Sequence, residues 1–206
     1  MKVLKVADQP ALLLKGRNRI LVVADLHVGI GGYVDPEIVN SVIDLYEYCM
    51  ADELVVVGDF KHSIAARWRE VKEFLRLEKE VELTFVKGNH DGGLKGTMEL
   101  EFGKLCLLHG HVKPKTECKR LIIGHVHPAV YIEHGAGGIK ERVWIEGKVE
   151  IVGKKRELTI LPAFNDVCAS TALNLERAPG ILKNVDLKSM KAIMLDGTYL
   201  GELALF

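Results

Sequence analysis

The chain has 206 residues, 48% of them hydrophobic, and its 28 basic and 28 acidic side chains cancel. That is enough apolar material for one domain with a sizeable core, expected here over residues 1–206, and it excludes a disordered chain. It also excludes a histone-like binder, which needs a strong basic excess to hold a phosphate backbone. No apolar run approaches the ~18 residues of a membrane span, and no apolar leader opens the chain. Cys49, Cys106, Cys118 and Cys168 lie far apart with no C-x-x-C pair, so they read as reduced thiols of a soluble, cytoplasmic protein.

Arg19–Ala24 is a β-branched apolar run of the kind that forms a strand buried on both faces. Asp35-Pro36-Glu37 then supplies an N-cap, a proline for the first helical position and an acid for the first turn. Ile38, Val39, Val42, Ile43 and Tyr46 follow at helical spacing. A second buried strand is expected over Glu53–Val57. A second helix is expected beyond it, which Ser63 can cap and in which Trp68, Val71, Leu75 and Glu78 step by three or four. Strands are further expected over Leu83–Val86, Lys104–Leu108 and Arg120–Ile123. Past residue 140 the helical period disappears. Arg142–Ile151 and Arg156–Leu161 read as strands, and Lys191–Leu195 with Tyr199–Leu205 as a hairpin around Asp196-Gly197. The architecture is α/β early and β-rich late.

Polar residues gather where these strands end. Asp25-Leu-His27 follows the first, Gly58-Asp59-Phe-Lys-His62 the second and Gly88-Asn89-His90-Asp91 the third. His109-Gly110-His111 follows the fourth and Gly124-His125-Val-His127 the fifth, so seven of the eight histidines lie in five short segments. A lone Asp-x-His or Gly-Asp carries no signal, because strand ends routinely hold such residues; the ordered set of five does. Loops beyond the carboxyl ends of strands in an open α/β sheet converge on one crevice, so these five would meet.

Imidazoles with two carboxylates and an amide oxygen suit Mn, Fe, Co, Ni or Zn, and suit calcium poorly. The Asp, Asn and His side chains of the five segments offer seven candidate ligands. Seven exceed the needs of one structural zinc, so two divalent ions, manganese foremost, fit better, with Asp59 the natural bridge. His111 reads more readily as a surface histidine. Charge is uneven along the chain: residues 104–160 hold eleven basic groups against six acidic ones. Lys113, Lys115, Lys119 and Arg120 cluster there, with Lys113 and Lys115 the candidate substrate contacts.

The ordered series D-x-H, G-D-x-x-H, G-N-H-D, H-G and G-H-x-H, spanning Asp25 to His127, resembles the signature of the calcineurin-like metallophosphoesterases. The resemblance implies a two-sheet β-sandwich flanked by helices with a dimetal site at one end. It assigns Asp25, His27, Asp59 and His127 to one metal, and Asp59, Asn89, His109 and His125 to the other. It makes His90 the catalytic histidine, Asp91 its orienting partner, and places His62 beside it.

Lys61-His62-Ser63 and Asp91 depart from the protein-phosphatase branch. Gly58–Ser63 is similar to the second motif of SbcD-type repair nucleases, and Gly124–Ala129 with Leu161–Asn165 to compact archaeal and ligase-associated relatives. Only 79 residues follow His127 and read as completion of the sandwich, so no capping domain is expected. The function implied is a dimetal phosphodiesterase acting on single-stranded or open-ended nucleic acid, in DNA repair, with a repair protein as partner. Small nucleotides or cyclic diesters are the alternative substrates, and a non-catalytic scaffold or a one-metal hydrolase are further alternatives.

Overall fold

A computed structural model describes residues 1–65 and 67–206. The first sheet takes its strands in chain order: β1 (Lys2–Lys5), β2 (Leu12–Lys15), β3 (Arg19–Val23), β4 (Glu53–Val57) and β5 (Leu83–Val86). The first three pair antiparallel. β3, β4 and β5 run parallel because α1 (Pro36–Tyr48) and α2 (Trp68–Glu80) return the chain between them. Leu21, Val23, Leu54 and Val56 point to the helices, while Ile20, Val22, Val55 and Val57 point the other way. Burial on both faces is why these strands read as unbroken apolar runs.

The second sheet holds β6 (Glu99–Phe102), β7 (Leu105–Leu108), β8 (Arg120–Ile123), β9 (Pro128–His134), β10 (Gly137–Ile151), β11 (Lys154–Ile160) and β12 (Thr171–Ala172). Their order is β12-β9-β10-β11-β8-β7-β6, with β13 (Lys191–Met194) paired to β10 and β14 (Tyr199–Glu202) paired to β13. Leu105, Leu107, Ile122 and the fully buried Trp144 meet Ile20, Val22, Val55 and Val57 between the sheets. The outer face, with Cys106, Leu108, Leu121 and Ile123, is covered by Leu182, Leu187, Met190 and Leu203. The sandwich is thus flanked by both helices on one side and by the C-terminal stretch on the other. Residues after His127 complete the second sheet, as expected.

α1 forms as its sequence implies: Asp35 Oδ1 accepts from Glu37 N–H at 3.0 Å, and Val39, Val42 and Leu45 are buried. α2 departs from expectation twice. Its N-cap is Arg67, and its buried stripe is Glu70, Phe74 and Leu77, leaving Trp68 70% exposed. Phe74 sits between Phe60 and Phe85, at 5.2 and 4.9 Å between ring centroids, so aromatic packing sets the rotation of the helix. Ser63 is unavailable as a cap because the backbone carbonyls of Ser63, Ile64 and Ala65 turn toward Lys61 Nζ.

Candidate functional site

The five polar segments do converge, but on the cleft between two sheets and not along one open sheet. Asp25, His27, Asp59 and Asn89 follow β3, β4 and β5; His109, His125 and His127 follow β7 and β8. β3 to β5 and β7 to β8 end on the same side, so six of these loop residues, all but Asn89, face one another. His27 Nε2 lies 3.2 Å from His127 Nε2 and 3.7 Å from Asp59 Oδ2. His127 Nε2 is 3.4 Å from Asp25 Oδ1, and His109 Nε2 is 3.2 Å from Asp59 Oδ2. Asp25, His27 and Asp59 form one group with donor atoms close enough to hold an ion, and Asp59, His109 and His125 form another. Asp59 is common to both. Asn89 is exposed on its loop, and no hydrogen bond ties its amide to the cluster among the described residues.

The backbone is strained to bring these donors inward. Eight non-glycine residues have positive φ, and five of them are Asp25, His27, Asp59, His125 and His127. Each such residue costs about 1–3 kcal/mol and persists only where its surroundings over-determine it. Glycines permit the close approach: a methyl at Gly88 would overlap Asp59, and one at Gly58 would overlap the His109 ring.

Electrostatics fit a cation. Burial holds His27 and His125 down at about 4, so both rings are neutral at pH 7, the form that ligates a metal. Burial works against ionisation of Asp59, yet His109 and the His90 N–H outweigh it and hold the carboxyl well below the usual range. His109 donates Nδ1–H to Val57 O at 3.0 Å, and its buried Nε2 faces Asp59 Oδ2 at 3.2 Å; burial opposes its charge, but the Asp59 and Asp25 carboxylates outweigh that and push its pKa up to about 9. His127 likewise gives Nδ1–H to Ala169 O at 3.0 Å. Both rings are thus anchored at Nδ1 and turn Nε2 into the cluster, the orientation usual for a metal ligand.

His90 stands just off these groups, with Nε2 4.0 Å from Asp59 Oδ2 and 25% of its side chain exposed. Its Nδ1–H donates to the backbone carbonyl of His62, and the two rings stack at 5.7 Å. Asp91 does not orient His90, contrary to expectation. Its carboxylate is fully buried and accepts from the N–H groups of Asp59 and Gly88, both at 2.7 Å, and more weakly from Lys61. Both oxygens are turned to backbone N–H groups, so the carboxylate braces two loops while the His90 ring is held by the His62 carbonyl.

His111 is not a plain surface residue. Its ring lies 5.3 Å from His109 and 6.2 Å from His125, and burial lowers its pKa. The basic cluster comes apart in space. Lys119 and Arg120 lie at the amino end of β8, the end opposite the site. Lys113 and Lys115 are exposed, and the Lys115 N–H donates to Glu99 on the edge strand β6. No described contact joins either lysine to the cluster.

Sequence reasoning missed three contributors. Lys61 is fully buried, and its Nζ donates to Ser63 O, Ile64 O and His90 O, fixing the loop that carries His90. Asn165 donates to Leu26 O at 2.9 Å, holding the Asp25–His27 turn. Gly180, at φ 62°, packs against His125 where a side chain would collide. Only Leu161–Asn165 carried a signal, through its similarity to compact relatives.

The profile of the calcineurin-like phosphoesterase superfamily domain matches residues 19–160. Among curated proteins, none matches the sequence. Among solved structures, the nuclease MPE of Pseudomonas putida superposes with a TM-score of 0.61 at 16% identity, over 95% of this chain and 96% of that one. The E. coli phosphoesterase Yfce gives 0.42 at 16% identity, over 91% of this chain and 99% of that one. A Vps29 mutant from Entamoeba histolytica gives 0.40 at 16% identity, over 86% and 94%. The profile covers every strand-end segment from Asp25 to His127, and the first superposition extends the likeness of fold to nearly the whole chain. This chain belongs to the calcineurin-like phosphoesterase superfamily.

Proposed function

We propose that this protein is a dimetal-dependent phosphodiesterase that cleaves nucleic acid, with single-stranded or open-ended chains preferred. Asp25, His27, Asp59 and His127 would hold one ion, and Asp59, Asn89, His109 and His125 the other. Two divalent cations there would supply charge for the phosphoryl oxygens and acidify a water for attack. A divalent transition ion, manganese or a neighbour, is favoured over magnesium because five of the seven donors are imidazole or amide.

The observation that carries the reading is His90, an imidazole beside the donor groups and outside them. Its Nδ1–H is committed to the His62 carbonyl, so Nε2 is the atom that can meet a departing oxygen. Protonated at Nε2, the ring donates to the leaving alkoxide and returns as the neutral Nδ1–H tautomer. The His62 carbonyl stabilises the charged ring before that transfer.

Nucleic acid as substrate, and a repair protein as partner, rest on the SbcD-like second motif and on the nuclease among the structural neighbours. Small phosphodiesters are the second reading, favoured because Lys119 and Arg120 sit at the far end of β8. With only Lys113 and Lys115 left as candidate phosphate contacts, binding of a single-stranded oligonucleotide should fall with salt at a log–log slope of about 1.4, two contacts at ~0.7 each. Replacing both lysines by alanine should flatten it. The deciding experiment sets the manganese-loaded protein against a single-stranded oligonucleotide, bis(p-nitrophenyl) phosphate, p-nitrophenyl phosphate and a cyclic nucleotide. Cleavage of the oligonucleotide and the diester well above the monoester is expected. Brisk turnover of the cyclic nucleotide beside an intact oligonucleotide would hand the case to small substrates.

A further inference from the structure

The segment after β11 folds back over the candidate metal centre. Phe164 N–H donates to Ala24 O at 2.9 Å, Asn165 to Leu26 O, and Ala169 O accepts from His127 Nδ1–H. Cys168 is held between these ties, with its N–H on Asn165 O at 3.3 Å. It is 9% exposed, and its Sγ lies 4.0 Å from Asp25 O. Its Sγ and one ring nitrogen each of His27 and His127 all lie within 4.8 Å of one another. A sulfur and a nitrogen bound to one ion at about 2.3 and 2.1 Å are at most ~4.4 Å apart, so this grouping is near ligating dimensions. Beside it His27, also buried, keeps Nδ1 without a hydrogen-bond partner among the described residues. Cys49 and Cys118 fall in no such group, and Cys106 groups only with Glu99 and Glu101, at the outer edge of the second sheet.

We propose that Cys168 Sγ is a ligand of the ion that Asp25, His27, Asp59 and His127 would hold, which makes the two metal positions chemically unequal. The proposal rests on the dimetal reading above. When the ion binds, the thiol releases its proton to solvent and a sulfur lone pair forms the metal bond, with no electron transferred. A thiolate at one position favours a softer ion such as Zn, Fe(II) or Co there. The other position, with only nitrogen and oxygen donors, keeps its tolerance for Mn. The native protein would then take up a mixed pair of ions.

Cobalt(II) tests this without reference to activity. The purified protein loaded with cobalt should bind two ions and show a sulfur-to-cobalt charge-transfer band in the near ultraviolet. Cys168→Ser should lose the band completely, whereas Cys49→Ser and Cys118→Ser should keep it. Two bound cobalt ions without a band in the native protein would overturn the thiolate while leaving the dimetal reading intact, whether or not the serine variant folds. A band that survives Cys168→Ser would do the same. Binding of fewer than two ions would overturn the dimetal reading, and the proposal with it.

Discussion

At the scale of single residues, the proposed mechanism separates groups that would hold charge from one that would move a proton. Asp59 belongs to both candidate ion groups and also accepts from His90 N–H at 2.9 Å, so it ties three loops at once. The His90 ring belongs to neither of the two groups that share Asp59 and is held on the His62 carbonyl. Asp59→Asn should therefore lose metal as well as activity. His90→Asn should keep both metals and lose turnover by about 10²–10⁴-fold, the usual cost of removing a general acid. Metal analysis beside steady-state rates distinguishes the two variants; equal metal loss in both would merge the roles assigned here. The residue types were legible in the sequence because ligand chemistry needs them at strand ends. The partner of Asp91 was not, because a carboxylate next to a histidine in sequence can turn to any N–H that the fold brings closer.

At the scale of elements, the stretch between β4 and α2 is organised by a buried cation. Lys61 Nζ gathers the carbonyls of Ser63, Ile64 and His90, which delays the start of α2 to Trp68 and fixes the His90 loop. Lys61→Met would leave those carbonyls without a donor. A loss of about 1–3 kcal/mol in stability is expected, readable as a lower urea midpoint. The same variant should lower kcat more than it raises KM, since His90 loses its support and the metal ligands do not. An unchanged kcat in a destabilised variant would show Lys61 to be structural only. The elements most visible in the sequence are those whose faces are uniformly apolar, such as β3, β4, β7 and β8. The edge strands β1 and β6 were not read, since short, half-exposed strands carry no such run. The face of α2 was misassigned because the buried Glu70 counts as polar in any periodicity.

At the scale of the whole molecule, the site is a joint. Four candidate ligands come from the first sheet and three from the second, so bound ions would tie the two together. Manganese at 100-fold over its dissociation constant should stabilise the fold by about 2.7 kcal/mol. For a chain of this length that corresponds to a rise in Tm of roughly 5–11 °C, measurable by calorimetry and reversed by a chelator. No shift on adding metal would mean that the two halves of the ligand set do not share ions.

What the sequence determined by itself is the list of donors and their order along the chain. Apolar strands announce themselves by composition, and the residues that end them are of the types that metal chemistry would need. From Asp25 to His127 no aligned structure was needed to see this. What only the tertiary structure decided is which groups face one another across the two sheets. Lys113, Lys115, Lys119 and Arg120 are neighbours in sequence, yet Arg120 opens a strand whose far end carries His125, so the length of that strand separates Lys119 and Arg120 from the site. Cys168 lies 41 positions beyond His127 and still reaches the same donors, because the chain after β11 is drawn back by hydrogen bonds from Phe164 N–H to Ala24 O, from the Asn165 amide to Leu26 O and from His127 Nδ1–H to Ala169 O. Contacts of that kind depend on the closure of distant segments, and local composition holds no record of them.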